Sequence, residues 1–195
     1  MTNNPPESIE DFAASVAGTV GATGHSSDLG TVKLYVDRER WREAVTAARD
    51  DAGLPFFSWL SAVDWSNDVA VGDPPSEEVE ERYEVMCAVS NVTDGQIVIL
   101  STDLPKDDPV IESVSSVYPG ANWHERETAE MFEITFAGHP NLVKLYLTSD
   151  FVGHPLKKSY GLISREVKPW PGDVDVEDMP DSADSDSPSF ENPDA

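Results

Sequence analysis

The chain has 195 residues, of which 37 are acidic and 13 are basic, and its formal net charge of −24 argues against nucleic acid as a partner. The hydrophobic residues (39%) suffice for one core. No apolar run approaches the roughly 18 residues of a membrane-spanning helix, and the N-terminus lacks a secretion signal. We therefore expect a soluble, cytoplasmic chain that is able to dock on a membrane complex. The single cysteine, Cys87, excludes disulfides and thiolate-bound iron–sulfur clusters within the chain, and its apolar neighbours predict a buried, inert thiol.

The N-terminal part of the chain predicts two helices that flank a strand. In the stretch that begins at Pro6, apolar residues at helical spacing (Ile9, Phe12, Ala13 and Val16) predict a short helix, and the sequence over 18–30 then predicts a loop. Alternating apolar residues predict a strand over 31–36. Asp37 follows as the expected N-cap of an amphipathic helix over 38–51, whose apolar stripe should cover a sheet.

The next part of the chain predicts a run of strands. Aromatic and β-branched residues predict a strand over 56–65, and an acidic loop follows over 66–81. Two further strands, over 82–91 and 96–102, are joined by an Asp-Gly sequence, which is a strong hairpin signal. Residues 110–117 follow a proline and predict a modest helix. Because this order neither repeats nor alternates strictly, it predicts an α+β fold, a two-layer sandwich of helices on a mixed or antiparallel sheet.

Charge is distributed unevenly along the chain. Acidic and basic residues number 22 and 7 in 1–123, 6 and 6 in 124–170, and 9 and none in 171–195. The neutral middle segment suits packing or partner contact, whereas the acidic segments are expected to be solvated. We therefore divide the chain into an α+β domain over 1–122, a docking block with an extended arm over 123–172, continuous with that domain, and a disordered acidic tail over 173–195.

The clearest chemical signal lies in the stretch that begins at Asn122. Asn122 and Glu125 have the spacing of a capping box, which predicts the start of a helix. On that helix Trp123, Glu127 and Met131 share a face, so the Glu127 carboxylate is expected to be partly desolvated between two apolar side chains. Such a carboxylate acts as a catalytic acid or base or, more often, pairs with an arginine of its own chain or of a partner.

A second pair of charges is expected on a neighbouring face of the same helix. Arg126 and Glu130 are four residues apart, which is the spacing of an ion pair on a helix surface.

The tripeptide Gly-His-Pro occurs twice, at 138–140 and 153–155, and His124 lies fifteen positions before the first of these histidines. Three histidines can ligate zinc, but they lack the short-spaced partners of known zinc motifs. We interpret each tripeptide as a fixed turn, because Gly permits positive φ, Pro prevents helix continuation, and the imidazole can bond nearby backbone or carboxylate groups. The two turns bracket residues 142–147, which alternate like a strand or an extended arm.

Together these residues form an extended motif. It comprises Glu125-Arg126-Glu127, Glu130-Met131-Phe132, Ile134, Phe136, Gly138-His139-Pro140, and then Asp150-Phe151-Val152-Gly153-His154-Pro155-Leu156-Lys157-Lys158 with Tyr160. This pattern resembles the signature of the C subunit of NADH-quinone oxidoreductase, the enzyme also called respiratory complex I. The sequence departs from the usual family pattern at five positions, with Glu130 for Asp, Glu133 for Gly, Phe151 for Trp, Ser159 for Asp and Gly161 for Pro.

The resemblance implies a structural subunit of a proton-translocating NADH-quinone oxidoreductase, an enzyme complex that passes electrons from NADH to a quinone such as ubiquinone. It implies a peripheral position on the cytoplasmic side of the cell membrane, packed mainly against the D subunit and near the B and I subunits of the complex. This chain would hold no catalytic residue, cofactor or metal, since FMN and the Fe–S clusters lie in partner subunits. The residues expected at the subunit interface are Trp123, Glu125, Arg126, Glu127, Glu130, Phe132, His139, His154, Lys157, Lys158, Tyr160, Arg165 and Trp170.

Alternative interpretations remain open at the level of sequence. The same module could belong to a related assembly, such as an F420H2 dehydrogenase or a membrane-bound hydrogenase. A free-standing hydrolase could use Glu127 with His139, although no nucleophile motif accompanies them. A soluble acidic chaperone is supported only by the charge of the tail. The arm over 164–172 could equally be a linker into that tail.

Overall fold

A computed structural model describes residues 8–67 and 78–161 and has an α+β architecture, which confirms the predicted fold class. Its elements are α1 (Ile9–Val20), β1 (Gly24–Asp28), β2 (Thr31–Tyr35), a 3-10 turn (Arg38–Arg40), α2 (Trp41–Asp50), β3 (Phe56–Asp64), β4 (Tyr83–Asn91), β5 (Gln96–Leu104), β6 (Val110–Glu112), α3 (Ala121–Phe132) and β7 (Thr135–Ala137). None of the helices within the described ranges has the length and apolar character needed to cross a membrane.

Five strands form a mixed sheet in the order β1-β2-β5-β4-β3. The β2–β5 pair is parallel and the other three pairs are antiparallel. The predicted hairpin between β4 and β5 is confirmed, and Gly95 of its Asp-Gly turn has φ of 71°. A bulge between Phe57 and Trp59 interrupts the β3–β4 register, so that Phe57 packs beside the core while Trp59 points to the opposite face.

The core lies between the helices and one face of this sheet. Alternate residues of the strands supply its floor, and the helices supply small or aromatic side chains above it; fully buried members include Val32, Leu34, Trp41, Ala44, Val45, Leu60, Val85, Leu100 and Ala121. Cys87 is completely buried in this core. The predicted burial of Cys87 is thus confirmed, and burial, aided by the nearby charge of Glu125, raises the pKa of its thiol, as expected for an inert cysteine.

Two predictions in the N-terminal half and the middle of the chain are wrong. The expected loop over 18–30 contains the end of α1 and the whole of β1, whose His25 and Ser27 bond the Glu10 carboxylate of α1 at 3.2 and 2.6 Å. The expected helix over 110–117 is instead the short strand β6, which pairs in parallel with β7. In both cases strand pairing decides a segment whose local sequence is weak, since β1 pairs with the adjacent strand β2 and β6 pairs with the more distant β7.

Several predictions fall on residues that the structure does not describe. These are residues 68–77 of the acidic loop predicted over 66–81, the arm over 164–172 with Arg165 and Trp170, and the tail over 173–195. They remain predictions.

Candidate docking site

Helix α3 begins at Ala121, directly after Gly120, and so the predicted capping box of Asn122 and Glu125 is wrong. No side chain caps this helix. Instead the carbonyl oxygen of Asn122 accepts a hydrogen bond from Nε2 of His139 at 3.1 Å. The Glu125 side chain turns away from the helix start and into the protein.

Glu125 is completely buried and serves the chain itself. Its carboxyl group accepts hydrogen bonds from Ser113 Oγ and from the backbone N–H of Val114, both at 2.6 Å. Burial raises the pKa of Glu125 to about 7, although these hydrogen bonds oppose the shift. Nε2 of His139 lies 3.9 Å from the carboxyl group. Glu125 therefore joins α3 to the segment that follows β6.

Glu130, further along α3, binds the backbone of a distant segment. Its carboxylate accepts hydrogen bonds from the N–H groups of Leu145, Tyr146 and Leu147 at 2.9, 2.9 and 2.6 Å. Burial alone would raise the pKa of Glu130, but these three donors outweigh burial and hold the pKa below its usual range. Of the two alternatives for 142–147, a strand or an extended arm, the strand is wrong, because a carboxylate takes the N–H groups that a neighbouring strand would otherwise use.

Arg126 binds the same segment through its carbonyl groups. Its guanidinium donates to the carbonyl oxygens of Val143 at 2.9 Å and Lys144 at 3.1 Å, and lies over the Trp123 ring at 5.4 Å. No ion pair joins Arg126 to Glu130 within the described ranges, so the predicted pair is wrong. The two residues act together instead, since each holds successive peptide groups of one segment.

Both Gly-His-Pro sequences form turns, as predicted. Gly138 and Gly153 have φ of 81° and 96°, and a Cβ at Gly153 would lie 2.7 Å from the Tyr160 ring. Nδ1 of His139 accepts from the Asn141 N–H at 3.0 Å, and His154 Nδ1 bonds the Glu130 carbonyl at 2.8 Å. Over the part of the chain that the structure describes, no group of three or more His, Cys, Asp or Glu side chains is placed to hold a metal ion.

A buried carboxylate that the sequence did not reveal anchors the end of this region. Asp64, the last residue of β3, is 3% exposed and accepts hydrogen bonds from Lys106 Nζ, Ser66 Oγ and the backbone N–H of Lys158. Lys158 Nζ also bonds the Ser66 carbonyl at 3.0 Å. Burial opposes ionisation, yet the hydrogen bonds keep the pKa of Asp64 below its usual range. No local pattern marks Asp64 as an anchor, because its partners Lys106 and Lys158 are distant in sequence.

Replacing Asp64 by asparagine is expected to lower the free energy of unfolding by about 2 to 3 kcal/mol, because Lys106 loses its charged partner and the anchor to Lys158 weakens. Urea denaturation of the purified chain measures this change. Asp103→Asn is the matched control: Asp103 pairs with Arg82 but is 59% exposed, so its loss should cost less than about 1 kcal/mol. Equal losses in the two variants would contradict an anchoring role for Asp64.

The residues expected at an interface occupy different environments. Trp123 is exposed, whereas Glu125, Glu130 and Phe132 are buried within the chain. The half-buried members are Arg126, Glu127, His139, His154, Lys157, Lys158 and Tyr160, and of these His139 exposes backbone only, since its imidazole is fully buried. Glu127 is half-buried, in agreement with the predicted partial desolvation, whereas its neighbours Glu125 and Glu130 are buried.

Large apolar side chains project from α3 and from the segment bound to it. We name this set the docking surface; with their exposed fractions, its members are Trp123 (60%), Leu142 (37%), Val143 (51%), Tyr146 (64%), Val152 (86%) and Leu156 (52%). Only Trp123 was among the predicted interface residues. The alternating apolar residues over 142–147 were the available signal for three of the others.

Comparison with known proteins gives consistent matches. The family described as "Respiratory-chain NADH dehydrogenase, 30 Kd subunit" matches residues 34–166. A protein of Mycolicibacterium gilvum (strain PYR-GCK), named as the C subunit of NADH-quinone oxidoreductase, is 38% identical over 129 residues, covering 66% of this chain and 54% of that protein. A protein of the same name from Citrifermentans bemidjiense is 32% identical over 143 residues, covering 73% and 82%. The chain therefore spans about half the length of the first relative and most of the second.

Two solved structures share the fold. The trypsin-resistant fragment (1–134) of Nqo5 is 25% identical with a TM-score of 0.51, covering 67% of this chain and 99% of that one. A component of the membrane-bound sulfane sulfur reductase, an archaeal respiratory membrane complex, has a TM-score of 0.64 at 16% identity, covering 79% and 86%, and indicates the fold alone. Because the match to the family covers residues 34–166, which is more than half of the chain, the chain belongs to the respiratory-chain NADH dehydrogenase 30 kDa subunit family.

Proposed function

We propose that this chain is a structural subunit in the peripheral arm of a NADH-quinone oxidoreductase. It docks mainly on the D subunit, with the B and I subunits nearby, on the cytoplasmic side of the membrane. Electrons pass from NADH through FMN and Fe–S clusters of partner subunits to quinone, and this chain contributes geometry without a redox group of its own. Family membership supports this assignment, and so does the construction of the docking surface.

The observation that carries the proposal is that the backbone of residues 143–147 is held by hydrogen bonds while apolar side chains of the same segment point outward. Arg126 and Glu130 make five hydrogen bonds to the four consecutive peptide groups between Val143 and Leu147. Tyr146, in the middle of this stretch, is 64% exposed. Exposed apolar groups on a fixed backbone suit binding to another protein, because the cost of ordering the segment is met before the partner arrives.

The alternative of a hydrolase using Glu127 with His139 is disfavoured by the bonding of His139. Its side chain is fully buried, one ring nitrogen accepts from the Asn141 N–H, and the other donates to the Asn122 carbonyl. An imidazole with both nitrogens occupied cannot serve as a general base without breaking these bonds.

The related assemblies with a different electron donor share the expected docking mode, and the identity of the partners separates them. A tagged chain isolated from detergent-solubilised membranes of its host should co-purify with the D subunit and, under the proposal, with the FMN-bearing subunits that accept electrons from NADH. Recovery with a different input module would assign the chain to a related complex. Recovery of a stable free monomer would contradict the proposal altogether.

Trp123→Ala and Glu127→Gln should each reduce the amount of assembled complex. Truncation of an aromatic anchor at an interface commonly costs about 2 kcal/mol or more, which is roughly a thirtyfold loss of affinity. Glu127 is half-buried, and no hydrogen bond to its carboxylate is found within the described ranges, so it is suited to a partner arginine. Native gels measure complex content, and the quinone reductase rate per assembled complex should stay near normal.

The matched control is Leu29→Ala, at the β1–β2 turn, where the side chain is 97% exposed and far in sequence from the docking surface. It should leave complex content unchanged. Normal content with a rate reduced about 100-fold in Glu127→Gln would indicate a catalytic carboxylate and contradict the structural role.

A further inference from the structure

We infer that the face of the sheet opposite the helices binds a basic, amphipathic helix of another polypeptide. We name this surface the open face and define it by Tyr35, Trp59, Met86, Ile97 and Ile99. The inference rests on the proposed function in one respect, namely that the chain works inside an assembly. The open face is separate from the docking surface, which lies on α3 and the segment after it.

Strand register places these side chains together. Val32 and Leu34 point into the core, so Lys33 and Tyr35 point to the opposite face of β2. Ile99 lies between Lys33 on one neighbouring strand and Ala88 on the other. The row of paired residues continues across the sheet and ends at Trp59, which is opposite Ala88.

Large apolar side chains form a patch on the open face, among polar side chains such as Lys33, Glu84 and Ser101. Antiparallel sheets that face solvent usually present polar side chains there. Here Tyr35 and Ile97 are 42% and 43% exposed, and Trp59, Met86 and Ile99 are half-buried. No helix of the described ranges packs on this face, since the buried faces of α1, α2 and α3 all contribute to the core on the other side. An apolar sheet face of this kind is normally covered by a second layer.

Positive charges on the open face are already neutralised. Lys33 Nζ contacts Glu84 Oε1 at 2.5 Å, and Glu84 also accepts from Trp65 Nε1 and Ser101 Oγ at 2.9 and 2.5 Å. Arg82 pairs with Asp103 at 3.0 Å. Within the part of the chain that the structure describes, these pairs leave the open face without a free cation. An acidic partner would therefore have no unpaired positive charge to bind on this face.

The rim of the open face is acidic. Asp103 is 59% exposed, and it shares a groove of about 480 Å³ with Glu80, Glu81 and Asp107. The two cations that line this groove, Arg82 and Lys106, are paired with Asp103 and Asp64, so three carboxylates remain in excess. Charge complementarity therefore favours a partner with lysine or arginine beside its apolar stripe.

A helix fits these two properties better than an extended strand. Apolar side chains spaced three and four residues apart on a helix would cover Trp59, Met86 and Ile99, while basic side chains at its margin would reach Glu80 and Asp107. The occupant is thus a helix-forming segment with both features, supplied by a neighbouring subunit.

Site-specific photocrosslinking tests the inference in the intact complex. A benzophenone side chain is placed at Ile99 on the open face, at Tyr146 on the docking surface, or at Leu29 as the exposed control, each in the tagged full-length chain. We expect the probe at Ile99 to link to another polypeptide, through a peptide with Lys or Arg among apolar residues at helical spacing. Its yield should fall at least about threefold as the salt concentration is raised to about 0.5 M, because the contacts at the rim are electrostatic.

The probe at Tyr146 separates this inference from the proposed function. Crosslinks from Tyr146 but none from Ile99 would overturn the open-face inference alone. Links from Ile99 only to this chain's own residues, or to a second copy of it, would also overturn that inference. Silence at both positions would overturn both proposals. Glu80→Gln provides an independent measure, since it should lower the Ile99 yield and its salt dependence, whereas an unchanged yield would contradict a basic partner.

Discussion

Replacing Glu130 by alanine is expected to lower the free energy of unfolding by about 3 to 5 kcal/mol, one of the two largest effects predicted for a single side chain of this protein. Three backbone N–H groups, at residues 145–147, lose one shared carboxylate acceptor. Glu130→Gln keeps the size of the side chain but turns an amide donor toward one of those N–H groups, so it should cost about 2 kcal/mol. Urea denaturation measures the free energies.

Hydrogen exchange should locate the effect of these variants. In Glu130→Ala and in Glu130→Gln, the N–H groups of residues 145–147 should lose protection from exchange under conditions in which the chain as a whole stays folded. Glu133→Gln is the matched control, because Glu133 pairs with Lys157 but is 56% exposed and should contribute less than about 1 kcal/mol. If the protection of these N–H groups is unchanged in Glu130→Ala, the Glu130 carboxylate does not hold residues 145–147.

Lowering the pH should reduce the stability of the chain as the removal of the Glu130 carboxylate does. Its folded pKa lies below the unfolded value of 4.5, so its contribution to stability is complete above pH 4.5. That contribution is lost as the pH falls through the folded pKa. The hydrogen bonds between the Glu130 carboxylate and the backbone of residues 145–147 are therefore intact at neutral pH.

Glu125→Gln is expected to stabilise the chain at pH 8 by up to about 3 kcal/mol. The folded pKa of Glu125 is about 7, against 4.5 in the unfolded chain. Between these values the folded chain keeps a proton that the unfolded chain has lost, so stability falls as the pH rises from 4.5 to 7. Glutamine is neutral at every pH, accepts from the Val114 N–H and donates to Ser113 Oγ.

Denaturation of the wild-type chain and the Gln variant at pH 5 and pH 8 isolates this effect, because the contributions of other titrating groups cancel in the comparison. At pH 5 the two chains should differ by less than about 1 kcal/mol, since both carry a neutral group. If the variant keeps the wild-type pH dependence, or is less stable at pH 8, Glu125 ionises freely in the folded chain.

Sequence patterns predicted the centre of the fold well. The strands over 56–65, 82–91 and 96–102 carry β-branched and aromatic residues, and the Asp-Gly turn joins two of them, so local preference and tertiary structure agree. β1 was missed because its sequence, GHSSD, has no apolar alternation and forms a strand only by pairing with β2. β6 was mistaken for a helix because its partner β7 is distant in sequence.

The candidate site was predicted in position but not in mechanism. The helix, the two turns and their glycines could be read from local chemistry, whereas the acceptors of each hydrogen bond could not. Glu125 has the spacing of a capping residue, yet its partners Ser113 and Val114 lie before the helix begins. Arg126 and Glu130 have the spacing of an ion pair, but backbone groups of a later segment compete successfully for both.

The parallel pairing of β2 with β5 has a consequence for the order of folding. Thr31 pairs with Ile97, so β2 lacks its inner neighbour until most of the sheet has been synthesised. The strands β3, β4 and β5 are linked by antiparallel pairing and can assemble first. The N-terminal third of the chain must then join a preformed three-stranded sheet through contacts of long sequence separation, which slow folding. During that interval the unpaired edge of β2 is open to other nascent chains, and this stage of synthesis is where the protein is most exposed to aggregation.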